Sequence, residues 1–219
     1  MRTPRAVLFD LDGTLIDSTE DIAWCTNALL TRMNLPTHPL AAFKQFIGSG
    51  VAHLLTAALP ATHHDPETLK HAINEYRTLY AAHWKDHSYV YDGIPEMLDA
   101  LIARKLPLAV LSNKPHDFTV NCVAHFLNRW KFDPILGEQP SFARKPDPAG
   151  ALLVATRLGI PPEDFLYLGD TNTDMLTAGR AGMRAIGVLW GLRDQPELEE
   201  AGAKTILAHP SEMLPLLGN

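Results

Sequence analysis

Short apolar runs alternate with amphipathic helical patterns through most of the chain. The first run, Ala6–Phe9, ends at Asp10 and has the continuous apolar character of a strand buried on both faces. Similar runs recur at Pro107–Leu111, Phe165–Leu168, Arg184–Leu189 and Thr205–Leu207. The helical patterns between them cover Ile94–Arg104, His116–Trp130, Pro148–Leu158 and Asp174–Ala181. Because such alternation indicates right-handed crossovers, we predict an α/β fold, a Rossmann-like three-layer core with a central parallel sheet.

The segment between the first two apolar runs has a different pattern. It lacks the strand–helix alternation and is typical of a helical bundle, and a Ser-Thr-Glu-Asp sequence that begins at Ser18 fits a capping box. We therefore predict a helical cap domain over residues 18–87, inserted after the first strand. The catalytic core is predicted to comprise residues 1–17 and 88–219.

Composition and charge exclude several classes of partner. The chain has 219 residues, a formal net charge of −6 and no basic stripe, so nucleic acid is not an expected partner. No apolar run approaches the roughly 18 residues that a membrane-spanning helix needs, and no membrane association is expected. Cys25 and Cys122 lie in apolar or helical contexts, as expected of buried, reduced thiols. These features predict a cytoplasmic protein.

Polar segments follow the apolar runs at four places. They are Asp10-Leu11-Asp12-Gly13-Thr14, Leu111-Ser112-Asn113-Lys114, Lys145-Pro146 and Gly169-Asp170-Thr171-Asn172-Thr173-Asp174. In an open parallel sheet, ligands bind beyond the carboxyl ends of the strands. Segments far apart in sequence are therefore expected to meet in one site.

The first segment supplies two acids. A carboxylate such as Asp10 at the end of a buried strand is costly unless it is paired or bound to a metal. Asp-x-Asp alone is more often a turn or a helix cap. Here Gly13 permits a tight turn and Thr14 adds a hydroxyl group, which favours a functional interpretation.

The other segments supply a hydroxyl group, a cation and two more acids. Ser112 and the backbone N–H of Asn113 can hold a phosphoryl oxygen. Lys145 can neutralise a phosphoryl group, although most lysines lie at the surface. Asp170 and Asp174 are ligands suited to Mg²⁺, and Asp174 also suits the first turn of a helix.

The four segments resemble the signature motifs of the haloacid dehalogenase superfamily, in its magnesium-dependent phosphatase branch. The opening Val7–Ser18 is also very similar to that of phosphoglycolate phosphatases. The resemblance implies that Asp10 is the nucleophile and forms an aspartyl-phosphate, that Asp12 is the general acid and base, and that Lys145 is catalytic. It also implies a Mg²⁺ cofactor, bound by Asp10, Asp12 (through its backbone carbonyl), Asp170 and Asp174.

The resemblance further implies a set of substrate-binding residues. In the core these are Thr14, Ser112 and Asn113, and the Ser-Asn-Lys-Pro sequence adds Lys114, which either binds substrate or has an outer or surface role. In relatives a glycine-bearing cap loop reaches the leaving group, so we expect the loop at Gly48 to do so here, and we hypothesise that Lys44 pairs with a substrate carboxylate. The alternative for this loop is a plain helix–helix turn.

The expected function is that of a magnesium-dependent phosphatase acting on a small phosphorylated metabolite, best matched by 2-phosphoglycolate. The protein is expected to be a monomer or a weak homodimer. One alternative is a sugar phosphomutase of the same superfamily. Another is a non-catalytic phosphate-binding protein, for which the loss of a motif acid would be expected.

Overall fold

The computed structural model describes residues 3–217, and the chain divides into two compact units. One unit contains the residues up to Ile16 together with those from Val90 onward, and the other is Asp17–Tyr89. The predicted boundaries, after residue 17 and before residue 88, lie one and two residues from these limits.

The described residues form eight strands and nine α-helices, joined by turns and short 3₁₀-helices. The strands are β1 (Ala6–Phe9), β2 (Ile16–Asp17), β3 (Tyr89–Val90), β4 (Leu108–Pro115), β5 (Phe132–Glu138), β6 (Phe165–Gly169), β7 (Arg184–Val188) and β8 (Thr205–Leu207). The helices are α1 (Thr19–Arg32), α2 (Phe43–Phe46), α3 (Val51–Ala58), α4 (Pro66–His83), α5 (Ile94–Ala103), α6 (His116–Phe126), α7 (Ala149–Leu158), α8 (Asn172–Ala181) and α9 (Gln195–Glu200). Within the described part of the chain, none of the helices combines the length and apolar character that a bilayer crossing requires.

Six strands form one parallel sheet in the order β5-β4-β1-β6-β7-β8. In the register of β1 with its neighbours, Phe9 lies level with Val110 and with Leu168. The backbone N–H of Asp10 then donates to the carbonyl of Leu168 at 2.9 Å. Asp10 and Asp170 therefore leave the sheet at the same edge, beyond the carboxyl ends of β1 and β6.

The core of this unit packs on both faces of the sheet. Ala6 and Leu8 belong to a buried cluster that α7 and α8 cover. Successive side chains of a strand point to opposite faces, so Val7 and Phe9 face the other side, where Phe9 meets Phe132 edge to face at 6.3 Å between ring centres. Full burial of such a side chain contributes about 1.5–3 kcal/mol and holds the end of β1 in place.

The core differs from the prediction in three elements. The strand predicted at Pro107–Leu111 continues to Pro115, so Ser112 lies within β4 and not after it. Strand β5 was not predicted, because Pro134 interrupts its apolar pattern. It is an edge strand, where proline is tolerated because one side of the strand needs no partner. The helix predicted to extend to Trp130 ends at Phe126.

The Asp17–Tyr89 unit is helical, as predicted, but the capping box at Ser18 is wrong. The side chain of Ser18 makes no capping hydrogen bond to α1. The carboxylate of Asp21 instead accepts from the backbone N–H groups of His87 and Ser88, at 2.9 and 2.8 Å. Asp21 thus ties the first helix of the unit to its last residues.

Candidate active site

Asp10 lies directly after β1 and is almost completely buried. Its Oδ1 accepts from the backbone N–H of Leu11 at 2.7 Å and lies 2.9 Å from Lys145 Nζ. Burial raises the pKa of Asp10 well above its usual value, and the charge of Asp174 adds to the rise while Lys145 opposes it. A carboxylate in this position is held in one orientation, and any further cation stabilises its ionised form.

Lys145 is buried between two acids. Its Nζ lies 2.9 Å from Asp10 Oδ1 and 2.6 Å from Asp174 Oδ1. Burial lowers the pKa of Lys145, but the charges of Asp10 and Asp174 outweigh it and raise the pKa well above its usual value. The surface alternative for Lys145 is therefore wrong, since its side chain is 1% exposed.

Asn113 fixes the backbone at Lys145. Its Oδ1 accepts from the backbone N–H of Lys145 at 2.9 Å, and its Nδ2 donates to the carbonyl of Lys145 at 3.1 Å. The sequence indicated only the backbone N–H of Asn113 as a phosphate donor. The paired amide contact was not predicted, because nothing in the pattern joins two residues 32 positions apart.

Asp174 is a first-turn acid of a helix, as the sequence indicated, and its role as a Mg²⁺ ligand stays a prediction. It closes a capping box at the start of α8, where its Oδ2 accepts from the N–H of Thr171 at 3.1 Å and from the Thr171 hydroxyl at 2.6 Å. Its Oδ1 faces Lys145 and also accepts from the hydroxyl of Tyr167 at 3.2 Å. The Thr-x-x-Asp spacing could have predicted the cap. Tyr167 gave no such signal, because it lies inside an apolar run.

Asp170 is held by donors from two other segments. Its Oδ1 accepts from the Thr14 hydroxyl and its Oδ2 from the backbone N–H of Leu192, both at 2.9 Å. Burial and the charge of Asp174 raise the pKa of Asp170 to about 7. Gly13, with φ of +86°, and Gly191 approach this carboxylate so closely that a Cβ at either position would overlap it.

Asp10, Asp170 and Asp174 each offer a carboxylate oxygen, and these atoms lie within 4.8 Å of one another. All three side chains are buried, and Lys145 contacts two of them. Burial, and after it the charge of Asp174, raises the pKa of Asp10 and of Asp170, as expected of a site that favours a cation. Clustered carboxylate oxygens are the ligands that suit Mg²⁺, so the residues present fit the predicted ion.

Asp12 lies outside this group of three carboxylates. Both of its oxygens accept from Lys114 Nζ, at 2.8 and 2.9 Å. Lys114 is 8% exposed, which excludes the surface role considered for it. Asp12 is thus paired with Lys114, whereas Asp10 is paired with Lys145, so the two acids of the first segment have separate environments.

Ser112 and the two cap residues complete the predicted set. Ser112 is buried, and its Oγ accepts from the backbone N–H of Lys114 at 3.2 Å. Lys44 is exposed on α2, and Gly48 follows that helix with φ of +118°, a conformation that favours glycine. Both belong to the Asp17–Tyr89 unit, and their substrate contacts remain predictions.

Comparison with known proteins places this chain in a family. Residues 7–188 match the model of the haloacid dehalogenase-like hydrolases. A phosphoglycolate phosphatase from Xylella fastidiosa is 34% identical over 196 residues, covering 89% of this chain and 84% of the relative. One from Chromobacterium violaceum is 32% identical over 218 residues, covering 98% and 97%.

Solved structures agree with this match. The crystal structure of a predicted phosphoglycolate phosphatase from Haemophilus somnus has a TM-score of 0.89 at 25% identity and covers 99% of both chains. That of a predicted phosphatase from Clostridium acetobutylicum has a TM-score of 0.86 at 29% identity and covers 97% of both. The chain therefore belongs to the haloacid dehalogenase-like hydrolase family. Its α/β fold and its class, a phosphoric monoester hydrolase, are confirmed.

Proposed function

We propose that this protein is a magnesium-dependent phosphatase that hydrolyses a small phosphomonoester through an aspartyl-phosphate on Asp10. The observation that carries this function is the position of Lys145 Nζ, 2.9 Å from Asp10 and 2.6 Å from Asp174, beside a third buried carboxylate, Asp170. A nucleophilic carboxylate, a fixed cation and spare acidic ligands are the parts that phosphoryl transfer requires.

The residues that would hold Mg²⁺ are Asp10, Asp170 and Asp174, together with the backbone carbonyl of Asp12. When bound, the ion would supply positive charge that offsets the phosphoryl oxygens. The hydrogen bonds from Thr14 and Leu192 keep the Asp170 oxygens in place before any ion arrives. Such support by neighbouring donors is typical of metal ligands.

In the first half-reaction, an Asp10 oxygen attacks phosphorus and the bond to the ester oxygen breaks. Asp12 gives its proton to that leaving oxygen, so the alcohol departs neutral. Lys145 reduces the repulsion between the Asp10 carboxylate and the phosphoryl group. For Asp12 to carry the proton, one of its oxygens has to give up its hydrogen bond from Lys114.

In the second half-reaction, water attacks the phosphorus of the aspartyl-phosphate. Asp12, now ionised, takes the proton from water, inorganic phosphate leaves and the Asp10 carboxylate is restored. The contact of both Asp12 oxygens with Lys114 matches this basic form. Separate environments for the two acids allow one to ionise while the other is protonated.

The best single substrate is 2-phosphoglycolate. Curated relatives that are 32–34% identical carry the name phosphoglycolate phosphatase. Because the chain has a net charge of −6, a substrate with both a phosphate and a carboxylate needs local cations. Lys145 supplies one, and we assign Lys114 and Lys44, with the loop at Gly48, to the substrate side. We further propose a cytoplasmic monomer or weak homodimer.

The replacement Asp10→Asn tests the mechanism. Phosphate release from 2-phosphoglycolate should depend on Mg²⁺ and fall by roughly 10⁴-fold or more in this variant, because the amide is not a nucleophile. Asp147→Asn is the matched control: Asp147 is exposed and accepts one hydrogen bond, from its own helix N-terminus, which asparagine can also accept.

Substantial hydrolysis by Asp10→Asn would contradict the aspartyl-phosphate. Wild-type turnover that needs a sugar bisphosphate activator and returns the phosphoryl group to a sugar would favour the phosphomutase. Equal rates of phosphate release in Mg²⁺ and in EDTA would remove the metal from the scheme while leaving the nucleophile in place.

A further inference from the structure

A cavity of about 560 Å³ lies at the amino ends of β6, β7 and β8. Its lining includes Leu166 near the start of β6, Arg184 at the start of β7 and Thr205 at the start of β8. Asp170 follows the opposite end of β6, so this cavity is separate from the cluster formed by Asp10, Asp170 and Asp174. Its volume is within the range of small-molecule sites.

The walls of the cavity are mainly apolar. Beside the strands, they include residues of the loops before β7 and β8 and of the last described 3₁₀-helix, Pro210–Leu217. The larger apolar residues are Leu166, Met183, Ile186, Pro215, Leu216 and Leu217. Arg184 and Lys204 are the cationic residues of the lining, and among the described residues that line the cavity none is acidic. A ligand for this cavity therefore needs an apolar body and a negative charge.

Two hydrogen-bond donors of Arg184 have no partner among the described residues. They are its Nε and Nη2 atoms, and both are buried. These two nitrogens lie on the same edge of the guanidinium group, where their N–H groups run parallel and match the two oxygens of a carboxylate. Buried donors of this kind are rare in folded proteins, so a missing partner is the simplest explanation.

Asp164 makes no hydrogen bond to these two nitrogens. The charge of Asp164 partly offsets the fall in the pKa of Arg184 that burial causes. However, the Asp164 carboxylate forms an ion pair with Arg5, 3.5 Å from its Nη1. Arg184 lines the cavity, and two of its donors, Nε and Nη2, lie buried without a partner among the described residues.

We propose that this cavity binds a small amphipathic carboxylate, with its charge beside the guanidinium group of Arg184 and its apolar body against the side chains of β6, β7 and the last 3₁₀-helix. Lys204, which is exposed, adds positive charge at the cavity. Inorganic phosphate would satisfy the guanidinium but not the apolar walls, so it binds more weakly than an organic anion.

Calorimetric titration of the whole protein with octanoate, below its critical micelle concentration, tests this site. Wild type should bind with one-to-one stoichiometry, and octan-1-ol, which lacks the charge, should bind at least about tenfold more weakly. Octane-1-sulfonate distinguishes a planar from a tetrahedral head group. Saturating Mg²⁺ and phosphate should leave octanoate binding unchanged, since their proposed site is at the other end of the sheet.

Two replacements of Arg184 and one control locate the contact. Arg184→Met keeps the apolar stem and should weaken octanoate binding at least about tenfold. Arg184→Lys keeps the positive charge but loses the planar guanidinium group, so its affinity for octanoate should lie between those of wild type and Arg184→Met. Arg157→Met, on the exposed surface of α7, should bind like wild type.

Several results would overturn this site. The first is that wild type shows no saturable binding of octanoate at millimolar concentration. The second is that Arg184→Met binds octanoate as wild type does. The third is that octan-1-ol binds as tightly as octanoate. Displacement of octanoate by Mg²⁺ with phosphate would show that octanoate binds at the site of Asp10, Asp170 and Asp174. That result would equally reject binding in the cavity. None of these outcomes depends on whether the proposed phosphatase activity is correct.

Discussion

The two ends of the six-stranded sheet hold buried charge of opposite sign. At the carboxyl ends, Asp10, Asp170 and Asp174 crowd within 4.8 Å, and Lys145 contacts two of them. At the amino ends, Arg184 has two buried donors with no partner among the described residues. A buried excess of either sign indicates the charge of the ligand that the fold is prepared to receive.

The ends differ in how far the protein itself satisfies its charges. Each acid at the carboxyl end accepts hydrogen bonds from fixed donors, for example Thr14 and Leu192 on Asp170. Arg184 lies in a mainly apolar lining, and neither Nε nor Nη2 has a hydrogen-bond partner among the described residues. The first arrangement fixes the orientation of the carboxylates, whereas in the second two buried donors without a partner among the described residues cost stability. Removing the cation at each end should therefore have opposite effects on stability.

The largest effect is expected from Lys145→Met. This change leaves Asp10 and Asp174 buried without their shared cation, so kcat should fall by about 10³-fold and the metal-free protein should lose roughly 3 kcal/mol of stability at pH 8. Phosphate release and urea unfolding measure the two losses. Lys131→Met, at an exposed position, is the control. An unchanged unfolding free energy in Lys145→Met would mean that the acids do not need this cation.

Asp170→Asn should separate activity from stability. The amide can accept from Leu192 and donate to the Thr14 hydroxyl, so the hydrogen bonds of Asp170 can be kept while its charge is removed. We expect turnover to fall by about 100-fold and the Mg²⁺-dependent rise in Tm to disappear. In EDTA at pH 8, the variant should be more stable than wild type by up to a few kcal/mol. A variant less stable than wild type would show that the charge of Asp170 does not destabilise the metal-free protein.

The pH dependence of stability sharpens this point. The pKa of Asp170 is about 7 in the folded, metal-free protein, against a reference value of 3.8. Between these values the folded state binds more protons than the unfolded state, so the contribution of Asp170 to stability is present at low pH and is lost as the pH rises from about 4 to 7. Urea unfolding in EDTA at pH 5, 6, 7 and 8 measures the slope. The slope should be shallower in Asp170→Asn, and equal slopes would contradict the assignment.

Much of the arrangement at the carboxyl end of the sheet could be predicted from sequence. Apolar runs such as Ala6–Phe9 end directly before the functional acids, and parallel strands bring their carboxyl ends to one edge. That rule alone gathers Asp10, Asp170 and Asp174. The family motifs then indicated roles that the strand pattern could not, such as a separate function for Asp12.

The remaining features depend on contacts between distant residues. Lys114 lies 102 positions from Asp12, and no periodicity connects them. Strand β5 was missed because its proline is tolerable only at a sheet edge, a position that is known only once the strand order is known. Arg184 looked like the first residue of an ordinary strand. Its missing partner is visible only when the neighbouring loops are in place.

The smallest effect, and the one that most directly tests the contrast, is expected from Arg184→Met in the absence of any ligand. Methionine keeps the apolar stem and removes two buried donors that lack partners, so stability should rise by about 1 kcal/mol. Urea unfolding beside Lys145→Met measures both changes under one condition. The same replacement of a cation by methionine should thus destabilise one end of the sheet and stabilise the other. A loss of 1 kcal/mol or more in Arg184→Met would mean that its donors are satisfied in solution, and the difference between the two ends would then be one of degree.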